Sequence, residues 1–121
     1  MRFIDYLLRQ IIWSRATFGP GRRTEGILQH MEKEIAEVRE SNGDPSEWVD
    51  LVILALDGLW RSCMYKLVSE GGELKRNVDD TAEFARVSLY VKQEKNEDRI
   101  WPAWQTRTQD EPIEHDRSHD L

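Results

Sequence analysis

Apolar residues recur at three- and four-residue intervals in four stretches of the chain, and each stretch predicts an amphipathic helix. In the first, Phe3, Leu7, Leu8, Ile11 and Ile12 form a stripe that predicts a helix over about residues 2–15. Phe18-Gly19-Pro20-Gly21 breaks it. Ile27, Leu28, Met31, Ile35 and Val38 predict a second helix over about 24–41, with Thr24 as its cap and Asn42-Gly43 as its stop. Asp44-Pro45-Ser46-Glu47 then reads as a helix start: Asp44 caps, Pro45 takes the first helical position, and Glu47 stands where a capping-box acid would. This third helix runs to about Ser69 and is apolar on most sides between Trp48 and Trp60, the mark of a central, buried helix. Gly71-Gly72 ends it. Asp80 with Glu83 opens a fourth helix reaching about Glu97, with Pro102 beyond its end. Alternation of β-branched residues never persists, so no strand is predicted. The expected fold is an all-α four-helix bundle.

Composition narrows the class. A chain of 121 residues with 39% hydrophobic and 33% charged residues fits one globular domain. The longest uncharged apolar run, Leu51 to Leu56, is far short of the ~20 residues of a membrane span. Asp5 and Arg9 interrupt the apolar N-terminal stretch, which argues against a signal peptide. The single cysteine, Cys63, forms no internal disulfide and fits a reducing cytoplasm. Net charge is −6, and residues 105–121 hold five acids against Arg107 and Arg117. The expected organisation is therefore a folded domain over 1–104 and a polar, acidic, flexible tail over 105–121. An acidic chain without a dominant basic stripe argues against a duplex nucleic-acid partner, and nothing points to a membrane.

The chemistry sits in the acids. Glu34 and Glu37 project from one face of the second helix, and Glu47 and Asp50 repeat that spacing at the start of the third. A short connection makes the two helices antiparallel neighbours, so the two pairs can face one another. Four clustered carboxylates repel unless a cation compensates them, and such hard oxygen ligands suit Mg²⁺ or Mn²⁺. The plainer alternative is a solvated acidic face. Against it stand the apolar flanks Ile35, Val38, Val49, Leu51 and Val52. Glu47 also has a capping role open to it. Asp57, seven residues past Asp50, has two roles open: a substrate or metal contact, or an ion pair with Arg61 four residues on.

Lys92, Lys95, Asn96 and Arg99 share one stripe of the fourth helix, a set suited to a polyphosphate chain or to a solvated basic face paired with Glu94, Glu97 and Asp98. Trp13, Phe18 and Trp101 are candidates for stacking on a base or for packing, and His30 lies one turn before Glu34.

The succession of these elements resembles a known family. E-x-x-E at Glu34 and Glu37 followed by E-x-x-D at Glu47 and Asp50 is similar to the metal signature of MazG-like and dimeric-dUTPase-like pyrophosphohydrolases. Trp13, Phe18-Gly19, Gly26-Ile27-Leu28 with His30, Glu47-Trp48-x-Asp50, Leu56-Asp57-Gly58 with Arg61, and K-x-x-K-N-x-x-R-x-W-P from Lys92 to Pro102 follow in order. That order resembles the phage and bacterial dATP/dGTP pyrophosphohydrolase branch over about residues 10–104; the tail after Trp104 adds nothing to it.

The resemblance implies hydrolysis of a purine deoxynucleoside triphosphate to the monophosphate and pyrophosphate. Glu34, Glu37, Glu47 and Asp50 would hold two or more Mg²⁺ or Mn²⁺ ions, which lower the pKa of a bound water. Lys92, Lys95, Asn96 and Arg99 would meet phosphates, with Trp13, Trp101 and Asp57 as further substrate contacts. It also implies a homo-oligomer, dimer or tetramer, in the cytoplasm (a host's, if phage-encoded). The competing non-enzymatic expectation is a helical oligomeric scaffold or interaction module, which leaves the facing acids and the basic stripe as coincidence. A ferritin-like di-iron bundle is set aside, because no interior helix carries Glu-x-x-His.

Overall fold

The computed structural model describes residues 1–71 and 77–117. Its helices are α1 (Phe3–Phe18), α2 (Thr24–Glu40), α3 (Pro45–Gly71) and α4 (Val78–Asp98), and there is no strand among the described residues. Gly72, the second half of the predicted stop, lies outside the described residues, as does most of the connection to α4. The chain divides into two compact units, Met1–Val87 and Ser88–Leu121.

In the first unit α3 packs on α2 and α1. Leu7 and Ile11 of α1, Leu56, Trp60, Cys63 and Met64 of α3, and Ala82 and Ala85 of α4 form one buried core.

Helix ends differ from expectation where side chains compete for backbone groups. Helix α1 continues past residue 15 to Phe18 and stops at Gly19, whose φ of +91° suits glycine. Thr24 is the first helical residue of α2 and not its cap; Arg23 precedes it with φ +53° and no capping hydrogen bond. Helix α4 starts two residues before Asp80, because Asn77 Oδ1 accepts the Asp80 N–H at 2.8 Å.

The α2–α3 turn is the connection that matters most. The Gly43 N–H donates to the Val38 carbonyl at 3.1 Å and Asn42 N–H to that of Arg39, with positive φ at both Asn42 and Gly43. This is a Schellman ending, and it reverses the chain within four residues. Asp44 then caps α3 as expected, Oδ1 accepting from the Ser46 N–H at 2.8 Å. A Cβ at Gly43 would meet no atom within 4 Å, so only the left-handed backbone opposes a side chain there. Gly43→Ala is expected to lower stability by about 1–2 kcal/mol in urea unfolding, and an unchanged midpoint would mean that the turn relaxes.

Several stripe residues remain exposed. Phe3, Ile12, Leu28 and Ile35 lie outside the core, and Trp48, Val49 and Val52 leave the N-terminal half of α3 open where the sequence predicts burial on most sides. Helical periodicity fixes which residues share a face but not how much of it one chain covers.

The second unit holds the end of α4, a 3₁₀ turn over Trp104–Thr106 and the following segment. The Asp116 N–H donates to the Ile100 carbonyl at 2.7 Å, and the Trp101 and His115 rings meet edge-on at 5.5 Å. Among the described residues, no helix is long and apolar enough to cross a membrane.

Candidate metal centre

Glu34 and Glu37 of α2 meet Glu47 of α3, each offering a carboxylate oxygen within 4.8 Å of the others. Spacing of three on α2 places the first two a turn apart, and the tight turn returns α3 so that its first turn faces them. Glu47 reaches the cluster because it is not held at the cap. The Asp44 N–H, which a capping-box acid would accept, donates instead to Ser41 Oγ at 3.2 Å.

The electrostatics are those of a site built for a cation. Burial, reinforced by Glu37 and the charge of Asp50, pushes the Glu34 carboxyl above its ordinary range, with nearby His30 opposing. Burial, then Glu37, Asp50 and Glu34, does the same to Glu47. One oxygen of each, Oε2, is buried with no hydrogen-bond partner. Buried carboxylate oxygens without donors are costly, and here acids surround them rather than N–H groups. The residues fit a divalent cation that takes hard oxygen ligands and reverses the repulsion. Asp50 is not one of the three clustered acids but stands near enough to raise both Glu34 and Glu47.

A cavity of about 230 Å³ adjoins the acids, lined by Glu34, Asp50, His30, Trp13, Phe18 and Arg23 among others. Trp13 and Phe18 meet edge-on at 5.5 Å, and the Arg23 guanidinium lies 5.1 Å over the Phe18 ring. His30 Nε2 is 3.4 Å from Glu34 Oε1. Arg23 and Gly26 were not legible as site residues, because they fall in a loop and at a helix start where no period places them.

Asp57 also borders this cavity, yet its oxygens are committed within the protein. Oδ1 accepts from Ser14 Oγ and from Trp60 Nε1 at 2.8 Å, and Oδ2 accepts from Arg61 Nε at 3.1 Å. Arg61, only 2% exposed, donates onward to the carbonyls of Gly19 (2.7 Å) and Gly21. Of the two roles open to Asp57, the geometry favours the ion pair.

The basic stripe and Trp101 belong to the second unit. Lys92 and Lys95 are exposed, while Asn96 and Arg99 are partly buried, with Arg99 Nη1 donating to Asn96 Oδ1 at 2.8 Å. Arg99 Nε is buried without a partner. Trp101 Nε1 donates to the Asn96 carbonyl at 2.6 Å.

Because folding raises the Glu34 and Glu47 pKa values, the metal-free protein gains stability from these two groups as pH falls from neutral through the elevated values. It loses that contribution as pH rises again. A divalent cation binds only the ionised forms, so protons compete with it from a higher pH than at ordinary carboxylates. The rise in Tm on adding Mn²⁺ in place of EDTA is expected to be large near about pH 7.5 and to shrink steadily toward about pH 5. A constant difference across that range would contradict this arrangement.

The described helices thus carry a trio of carboxylates able to hold a metal ion, beside an aromatic cavity. The family model for dATP/dGTP pyrophosphohydrolase matches residues 7–120, and the chain belongs to that family. The match continues past Trp104, beyond the motifs that carry the sequence resemblance. Neither the curated proteins nor the solved structures compared with the chain gave a match. The protein is an enzyme, a metal-binding dATP/dGTP pyrophosphohydrolase.

Proposed function

We propose that Glu34, Glu37, Glu47 and Asp50 hold two or more Mg²⁺ or Mn²⁺ ions and form the catalytic centre, with the deoxynucleoside of dATP or dGTP in the adjoining cavity. The observation that carries this reading is the pairing of partnerless buried carboxylate oxygens with an aromatic recess that shares Glu34 as a wall. At about 230 Å³ the recess is smaller than the ~300–1,000 Å³ of whole-ligand pockets, so it takes the base or nucleoside and leaves the triphosphate outside. Trp13 and Phe18 supply the ring contacts and orient the α-phosphate toward the acids.

Divalent ions bound there supply neutralisation of phosphate charge and acidify water. A clustered glutamate accepts a proton from the attacking water. The water oxygen bonds to the α-phosphorus, the bond from that phosphorus to the α–β bridging oxygen breaks, and its electron pair leaves with pyrophosphate. Lys92, Lys95, Asn96 and Arg99 are the candidates for phosphate contact, on residue type and spacing, with Trp101 as a further substrate contact. Asp57 acts through Arg61, which holds the loop after Phe18, rather than as a substrate ligand.

The exposed apolar side chains of α1, α2 and α3 favour a homo-oligomer. The chain's single cysteine, the buried Cys63, fits a reducing cytoplasm.

The test is incubation with each common dNTP and NTP in Mn²⁺, Mg²⁺ or EDTA, with products resolved by ion exchange. Metal-dependent dAMP or dGMP with pyrophosphate is the expected result. Release of orthophosphate and a diphosphate would place the attack elsewhere on the chain of phosphates and overturn the mechanism. Absence of both turnover and metal binding would leave the scaffold.

A further inference from the structure

A second cavity, of about 380 Å³, opens between the end of α1, the loop after it and the middle of α3. It shares no lining residue with the recess beside the carboxylates. Arg15, Arg22 and Arg61 all line it, and among the described residues no acid does, in a chain whose net charge is −6. Its other walls are largely apolar, including Trp60, Met64 and Tyr65.

The three arginines are not equivalent. Arg61 is committed to Asp57, Ser14 and the carbonyls of Gly19 and Gly21. Arg15 and Arg22 are not. Arg15 Nε is buried without a hydrogen-bond partner, and Arg22 lies over the Tyr65 ring at 4.2 Å. Neither has a carboxylate partner among the described residues. A buried guanidinium N–H with no acceptor, beside a second uncommitted guanidinium, is a site wanting an anion.

We propose that this cavity binds a phosphate monoester carrying a planar ring, of the nucleoside monophosphate class. Two guanidiniums without a carboxylate partner match the two charges of a monoester, and no acid among the described lining residues would recruit metal for a longer polyphosphate. The apolar walls receive the organic part. The volume lies within the range of small-molecule sites. A ligand here also touches the residue that fixes the loop following Phe18, since Arg61 holds Gly19 and Gly21 in place.

The ligand class rests on the nucleotide reading of this enzyme, but the test does not need turnover. Binding of dAMP and dGMP is measured by tryptophan fluorescence and calorimetry in EDTA, where no divalent ion supports the carboxylate centre. The full chain is compared with Arg22→Ala, Arg15→Gln and Glu37→Gln, each checked for helicity by circular dichroism. Saturable binding is expected, weakened roughly tenfold or more by Arg22→Ala and by Arg15→Gln but kept by Glu37→Gln. Inorganic phosphate is expected to bind more weakly than either monophosphate. Loss of binding in Trp13→Ala with none in Arg22→Ala would assign the ligand to the carboxylate-side recess and overturn the proposal. Equal affinity for phosphate would remove the ring contact, and no binding at millimolar ligand would end the idea; neither result touches metal-dependent hydrolysis.

Discussion

Glu37→Gln is expected to reduce turnover of dATP and dGTP by about 10²-fold or more while leaving the helices intact. Glu37 is the acid between the other two: both Glu34 and Glu47 interact with it, and it contributes to raising both. An amide keeps the size of the side chain but removes the charge. A cation there is worth several kcal/mol to a phosphate transition state, and each ~1.4 kcal/mol is tenfold in rate. The same change removes repulsion, so the metal-free variant is expected to melt no lower than the parent and to show a smaller Mn²⁺-induced rise in Tm. Rate assays and thermal melts with and without Mn²⁺ separate the two effects. Full activity with undiminished metal response would remove Glu37 from the centre, and loss of activity with a collapsed melt would signal a folding role instead.

Arg61→Ala is expected to be the most damaging single change to stability. The Asp57–Arg61 pair is buried, with Arg61 2% and Asp57 6% exposed. Removing the guanidinium leaves a carboxylate with only Ser14 and Trp60 as donors and frees the Gly19 and Gly21 carbonyls. Breaking such a pair from one side typically costs about 3–5 kcal/mol, because an unpaired charge stays in a low-dielectric site. For a chain of this size that is a fall in Tm of roughly 10 °C or more. Replacing both partners, Asp57→Leu with Arg61→Met, is expected to recover part of the loss, since an apolar pair leaves no orphan charge. If Arg61→Ala cost under about 1 kcal/mol, the loop after α1 would have to hold itself without this anchor. The pair also shapes the recess indirectly, because the loop it fixes follows Phe18.

These expectations draw on different depths of the chain. The helices were legible because amphipathic period and breakers are local: Gly19, Gly43 and Pro45 stop or start helices through their own backbone preferences. Their ends were less so. Asn77 caps the helix in place of Asp80, and Thr24 lies inside its own helix, since nearby donors and acceptors compete on small energies. The two acidic pairs were also legible, through their spacing and the short turn between them.

Helix order, the family motifs and the presence of acids on facing turns of α2 and α3 are written in the residues themselves. The tertiary structure alone decided which of those acids share a centre, and that Glu47 joins it because Ser41 takes the Asp44 N–H. It decided that the Asp57 carboxylate is paired with Arg61, and that Arg15 and Arg22 line a cavity apart from the carboxylates. The reason is physical: helical period is written along a few residues, whereas burial and charge pairing depend on side chains more than forty positions apart, as Ser14 and Asp57 are.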